Sequence, residues 1–275
     1  MHKRTKTIIE AWAPPALLQL VRRRTGTRWY GNYSTWQEAA KASSGYQSKE
    51  VIRRVKEATL KVKTGLAQYE RDGVTFDRIQ YSWPLLSGLM WVAAQREGNL
   101  NILDFGGSLG STYFQNRKFL LALPRVSWSI VEQPHFVDEG KKHFENETLM
   151  FYKDMESCVR QRSPHCILFS GVLQYLENPY ALLERVKALS FPFILIDRTG
   201  FIGGGKDRLT IQRVPPTIYP ASYPCWFFSR QKFLSNLHEE YHLIAEFDAL
   251  AGVMSLGRGR VGIDKGFIFG RRSRS

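Results

Sequence analysis

The segment NILDFGGSLGSTYFQ places an acidic residue, Asp104, at the end of an apolar run and follows it with Gly106, Gly107 and Gly110 before a helix start near Ser111. Glycines there let the main chain turn sharply and let a ligand approach it, and a helix amino terminus offers free N–H groups. This arrangement suits a nucleotide-like ligand, although any strand-to-helix bend can also use glycines. The next apolar run, SWSIVE, ends in Glu132. An acid at that spacing can accept both hydroxyls of a ribose, or can be a solvated strand end.

Which nucleotide is meant turns on Phe105. If Gly107 and Gly110 are the second and third glycines of G-x-G-x-x-G, Phe105 holds the first position, where a dinucleotide fold needs no side chain. Asp104 argues the same way, because its charge would repel a pyrophosphate but suits a cofactor carrying a sulfonium and an ammonium group.

The elements that must position these residues are legible as patterns. Apolar runs at 100–105, 127–131, 149–152, 166–170 and 192–197 alternate with segments long enough for helices. Parallel strands need such crossovers, so the pattern predicts a mostly parallel α/β sheet. One crossover helix enters at Pro179, with Leu182, Leu183, Val186 and Leu189 inward. Ahead of the sheet, residues 1–98 read as a basic tail and a helical extension, leaving 99–275 as the main domain. Ser34 with Gln37 has the spacing of a capping box. A second helix after Ser48 carries the stripe Val51, Val55, Ala58, Val62, Leu66 and Tyr69, and a third is capped by Ser82 and ends before Gly98. Residues 199–228, with Gly203, Gly204, Gly205 and many aromatics, read as an irregular insertion hinged as a lid. Ser229 caps a last helix, and YHLIAEFDAL and GFIFG form an antiparallel hairpin at the sheet edge.

The motifs LDFGGSLG, VEQP and SGVLQYL together resemble the class I S-adenosylmethionine-dependent methyltransferases. More narrowly, WYGNYSTWQEAAKASSGY, LDFGGSLGSTYFQ, IDRTGF and YPASYPCWFFS are similar to a family of bacterial methyltransferases associated with cell-surface polysaccharide biosynthesis, over roughly residues 29–272. The resemblance implies a Rossmann-like sheet with S-adenosylmethionine as cofactor. On it, Asp104, Gly106, Gly107 and Gly110 line the methionine portion, Glu132 and Gln133 the ribose side and Asp154 the adenine amino group, and Ser170, at the end of the fourth strand, also binds the cofactor. Gln174 and Tyr175 follow that strand, where the superfamily turns from cofactor to acceptor, and Tyr175 is placed with the catalytic groups.

A hydroxyl acceptor must lose a proton, and Asp197, at the end of the fifth run, is the leading base. A salt bridge with Arg198 is the alternative use of that carboxylate. Arg198, Tyr219 and Tyr223 are placed with the acceptor, together with Gln174; the aromatic faces of Tyr219, Tyr223 and Trp226 suit a sugar, but also the packing of a lid. The histidines show no metal spacing, and no metal is expected.

The chain of 275 residues is 43% hydrophobic and 23% charged, enough for one large α/β domain. Its net charge of +14 sits mostly at its ends: residues 1–28 hold seven basic residues against one acidic, and the last twenty hold six against one. A nucleic-acid groove would draw on the body of the fold, so RNA methylation is disfavoured. The basic amino terminus reads either as a solvated tail or as a contact with anionic membrane. Three cysteines without a C-x-x-C pair, and no long apolar stretch near the start, place the expected home in the cytoplasm, with a peripheral membrane contact open. The functions that fit are O-methylation of a glycan or glycan precursor, a non-catalytic cofactor-binding or adaptor role, and RNA methylation.

Overall fold

The computed structural model describes residues 27–45, 48–215, 221–257 and 259–273. Strand β1 (Arg28–Tyr33) leads to helix α1 (Trp36–Lys41). The capping box of α1 lies one residue beyond the expected Ser34 and Gln37: Thr35 Oγ1 accepts the Glu38 amide at 3.2 Å, and Glu38 Oε2 accepts the amides of Thr35 and Ser34 at 3.3 and 3.1 Å. A charged carboxylate outbids the neutral Gln37 as acceptor, and Gln37 donates instead to Glu177.

Helix α2 (Ser48–Lys63) buries Val51, Val55 and Ala58 as its periodicity predicts. The stripe stops short of the expected end. Leu66 is 81% exposed, and Tyr69 belongs to a hairpin, β2 (Tyr69–Arg71) and β3 (Val74–Phe76). Asp72 and Gly73, both at positive φ, make its two-residue turn, a D-G hairpin signal that the helical reading overlooked. Helix α3 (Trp83–Ala94) follows with Pro84 in its first turn, yet the Ser82 hydroxyl does not cap it and donates to Asp197 at 3.3 Å.

The alternating region forms as expected: β4 (Asn99–Phe105), α4 (Ser111–Leu120), β5 (Arg125–Val131), α5 (Pro134–His143), β6 (Leu149–Tyr152), α6 (Met155–Arg162), β7 (Cys166–Ser170), α7 (Pro179–Leu189) and β8 (Phe193–Ile202). The five strands are parallel in the order β6-β5-β4-β7-β8.

The irregular insertion expected at 199–228 is corrected by the structure. Strand β8 runs on to Ile202, and β9 (Arg208–Arg213) and β10 (Ser222–Ser229) are regular. At its end β8 pairs in parallel with β10 through Phe228 and Ser229; β9 is antiparallel to β10, and β1 to β9. The aromatic segment is thus a branch of the sheet. Its aromatics alternate with the pleat, as Phe227 and Phe228 do on opposite faces in two separate clusters. Gly203, Gly204 and Gly205 make the exposed turn between β8 and β9.

Ser229 caps α8 (Arg230–Leu237) by accepting the Lys232 amide. The hairpin β11 (Tyr241–Ser255) and β12 (Val261–Arg271) then completes the other edge, with β12 antiparallel to β8 and β11 outermost. The main sheet reads β6-β5-β4-β7-β8-β12-β11, the Rossmann-like class I methyltransferase order with its reversed strand. Helices α2 to α5 pack on one face, around Leu89, Ile102 and Ile130, and α6 to α8 on the other, around Leu183, Ile194 and Phe233. The amino-terminal extension shares this sheet through β1. Strand order reverses between β4 and β7, so a crevice opens at their carboxyl ends.

Candidate functional site

The loop after β4 turns through three positive-φ residues, Gly106 at +71°, Ser108 at +56° and Gly110 at +100°. Gly107 is required for a different reason: a Cβ there would stand 2.5 Å from the carboxylate of Asp104, over which the loop folds. A Cβ at Gly106 would stand 2.4 Å from Val172, so the loop also closes on the chain leaving β7. Helix α4 starts at Gly110 with no side-chain cap, leaving its first N–H groups for a ligand.

Asp104 is buried beneath this loop. Its Oδ2 accepts from Trp128 Nε1 at 3.1 Å, while Oδ1 has no hydrogen-bond partner among the described residues. Burial pushes the carboxyl up to about 7. Glu132 stands where β5 ends and joins the two strands: Oε1 accepts the Ser108 amide at 3.2 Å and Oε2 the Gln133 amide at 2.7 Å. Burial also raises its pKa. Gln133 is exposed on the rim. Asp154 caps α6, accepting from the Ser157 amide and hydroxyl at 2.7 and 2.8 Å, so its carboxylate already has a local duty.

Across the crevice, β7 and β8 bring together Ser170, Gln174, Asp197 and Arg198. Asp197 is buried, with Oδ1 facing the Ser82 hydroxyl and Oδ2 the Ser170 hydroxyl, each at 3.3 Å. Arg198 Nε lies 4.0 Å from Asp197 and donates to Ser170 Oγ at 3.2 Å, so carboxylate and guanidinium share one serine. Burial raises the pKa of Asp197, which Arg198 partly opposes. Gln174 donates to the Arg198 carbonyl at 3.0 Å. From β12, Asp264 sits opposite Gly200, accepts the Ala251 amide at 2.9 Å and is raised by burial to about 6.

Farther out, one amide organises three aromatic side chains. Gln212 Oε1 accepts from Tyr175 Oη at 2.9 Å and from Trp29 Nε1 at 3.0 Å, and Nε2 donates to Tyr223 Oη at 3.3 Å. The rings of Tyr175 and Tyr223 meet edge-on, with centroids 5.3 Å apart. Burial holds the Tyr175 phenol well above its ordinary pKa, so at neutral pH it donates a hydrogen bond and keeps its proton. Trp226 stacks on Trp36 and donates to the Leu176 carbonyl, a packing role. Tyr219 lies outside the described residues.

The hairpin β2–β3 closes the crevice from the amino-terminal side. Glu70 is buried, accepts from the Ser111 hydroxyl at the start of α4 and from the Gly73 amide at 3.3 Å, and is raised by burial to about 7. Sequence reasoning missed Glu70, Ser82, Ser108, Gln212 and Asp264 as site residues. The D-G turn marked the hairpin that carries Glu70, and an acid inside the apolar run GIDKGFIFG marked Asp264. Nothing local marked Gln212. Among the described residues no group of His, Cys, Asp and Glu can hold a metal ion, and no helix is long and apolar enough to cross a membrane.

No protein-family model matches the chain, and no curated protein matches it. Solved structures do. The amino-terminal domain of EvdMO1, crystallised with S-adenosylhomocysteine and D-fucose, is 16% identical over 83% of this chain and 98% of its own, with a TM-score of 0.48. CalS10, an amino pentose methyltransferase from Micromonospora echinaspora, is 12% identical over 70% of this chain and 92% of its own, at 0.44. Magnesium protoporphyrin IX methyltransferase from Synechocystis PCC 6803 is 12% identical over 98% and 97%, at 0.42.

Proposed function

We propose that the chain is an S-adenosylmethionine-dependent methyltransferase that methylates a hydroxyl of a glycan or glycan precursor. The observation that carries the cofactor half is the buried Oδ1 of Asp104, unpartnered among the described residues, beneath a loop whose Gly106 and Gly107 leave no room for side chains. Buried polar atoms seldom go unpaired, so one at a strand switch point suits a polar ligand. When bound, the cofactor supplies an electrophilic methyl group on a sulfonium. Asp104 and the glycine loop would hold its methionine end, Glu132 the ribose hydroxyls with Gln133 at the rim, and Asp154 the adenine edge.

What the chain itself must do is hold an acceptor in line and exclude water; well-oriented reactions reach effective molarities of about 10⁵ to 10⁸ M. Asp197 takes the acceptor's proton, and its raised pKa makes it a better base for a hydroxyl at neutral pH. Ser82 and Ser170 aim its carboxylate. Tyr175, which keeps its own proton, orients the acceptor with Gln174 and Tyr223. Aromatic faces with hydroxyl tips support a sugar-like acceptor. The setting is the cytoplasm, and the basic amino terminus, outside the described residues, contacts anionic lipid; sedimentation with anionic liposomes, with and without Arg22, Arg23 and Arg24, tests that contact.

Calorimetric titration with S-adenosylmethionine and S-adenosylhomocysteine tests the cofactor reading. Micromolar binding is expected, and no binding overturns it. Binding without methyl transfer to any glycan precursor would favour a cofactor-binding, non-catalytic role.

A further inference from the structure

Arg198 has a backbone φ of +52°, a left-handed conformation that side-chain-bearing residues adopt only where the surroundings impose it. Here they do: Gln174 holds its carbonyl, while Nε and Nη2 donate to the hydroxyl and the carbonyl of Ser170, each at 3.2 Å. The side chain therefore turns back across the end of β7, and a Cβ at Gly171 would stand 3.4 Å from the guanidinium carbon. This places the charge over Ser170 and Gly171, where the chain leaving β7 leads to Val172, the residue against which Gly106 closes. It lies within electrostatic reach of Asp72, Asp197 and Asp264, and of Asp104 and Glu70. The side chain is 28% exposed. Nη1 makes no hydrogen bond among the described residues and keeps accessible surface.

The amino-acid end of the cofactor is a zwitterion beside a sulfonium. A crevice ringed by carboxylates suits the ammonium and the sulfonium but repels the α-carboxylate unless a cation meets it. A planar guanidinium with an open donor is suited to that group. We propose, resting on the methyltransferase reading, that Arg198 binds the α-carboxylate of the cofactor through Nη1, with Ser170 fixing its orientation. Arg198 thereby moves from the acceptor side, where its sequence position put it, to the cofactor side.

The test compares ligands with and without that carboxylate on the full chain. S-adenosylhomocysteine has it; 5′-methylthioadenosine lacks the whole amino-acid end. Arg198→Leu should weaken S-adenosylhomocysteine by about 10- to 100-fold, the span of a charge-assisted bond, and leave 5′-methylthioadenosine within about twofold. Arg198→Lys should recover part of the loss. Decarboxylated S-adenosylmethionine on the unmodified protein needs no variant, and should bind more weakly than S-adenosylmethionine by a similar factor. Equal loss for both thioethers in Arg198→Leu, as from a residue that only shapes the pocket, overturns the assignment. So does unchanged S-adenosylhomocysteine affinity, or equal affinity for the decarboxylated cofactor. Unmodified protein that binds 5′-methylthioadenosine and S-adenosylhomocysteine equally well sinks this inference alone; protein that binds neither sinks the methyltransferase reading with it.

Discussion

On the side of the crevice proposed for the cofactor, Asp104, Gly106, Gly107 and Gly110 come from one turn of chain, and Glu132 reaches that turn directly by accepting the Ser108 amide. On the side proposed for the acceptor, Trp29 and Gln212 meet although they lie 183 positions apart, and Tyr175 and Tyr223 join the same amide from two further segments. The first site is a property of a local sequence that needs only its strand and helix. The second exists only once β1, β9 and β10 have paired beside the end of β8. Damage to the first should therefore remove a ligand and leave the fold, whereas damage to the second should cost stability and leave the cofactor.

The sharpest test of that contrast is Gly107→Ala. Its Cβ would press on the buried Asp104 carboxylate, so S-adenosylhomocysteine affinity should fall by more than about 100-fold, roughly 3 kcal/mol, in calorimetry on protein that remains folded. Unimpaired binding would mean that the loop does not hold the ligand. Glu132→Ala should cost about 1.5 to 3 kcal/mol of cofactor affinity, typical of bonds to a charged group, with a smaller loss for a 2′-deoxy analogue that already lacks one hydroxyl.

On the other side, Gln212→Leu strands the polar tips of Trp29, Tyr175 and Tyr223. It should lower stability by about 1 to 3 kcal/mol in denaturant unfolding, with S-adenosylhomocysteine affinity unchanged. A large loss of cofactor affinity there would merge the two regions into one. Tyr223→Ala should likewise spare cofactor binding while lowering turnover of the acceptor, with the melting temperature as control.

The smallest effect concerns pH. Burial raises the folded-state pKa of Asp104 and Glu70 to about 7 and of Asp264 to about 6. Between the unfolded carboxylate range and these values the folded chain holds protons that the unfolded chain has lost, so stability from these groups falls as pH rises through that window. Ligand-free protein should melt at a lower temperature at pH 7.5 than at pH 5.5, and Asp104→Asn should flatten part of that slope. A steeper slope in the variant would show that Asp104 is not the group titrating.

Much of the fold is readable because it rests on short periodic patterns. Four of the five parallel strands fall within two residues of their apolar runs, β8 alone running five residues past its own, and Pro179 and Ser229 mark helix starts as their chemistry requires. The misreadings share a cause. The helical stripe reads on through Leu66 to Tyr69 because side-chain periodicity does not show where a D-G turn interrupts it. The segment 199–228 read as irregular because prolines and glycines obscure alternation; Pro224 is tolerated in β10 because β8 flanks that strand only at Phe228 and Ser229.

By itself the sequence determined the alternating sheet, the glycine loop, and the acids at the ends of β4 and β5, since each depends on residues adjacent in the chain. Tertiary structure alone decided that Glu70 comes to α4, that Ser82 serves Asp197 rather than its helix, that Gln212 gathers three aromatics, and that Arg198 turns back onto Ser170. Those partners are distant in sequence, and which of them meet is fixed by strand pairing and by the need of buried charges and amides for one another, forces that act only after the chain has closed.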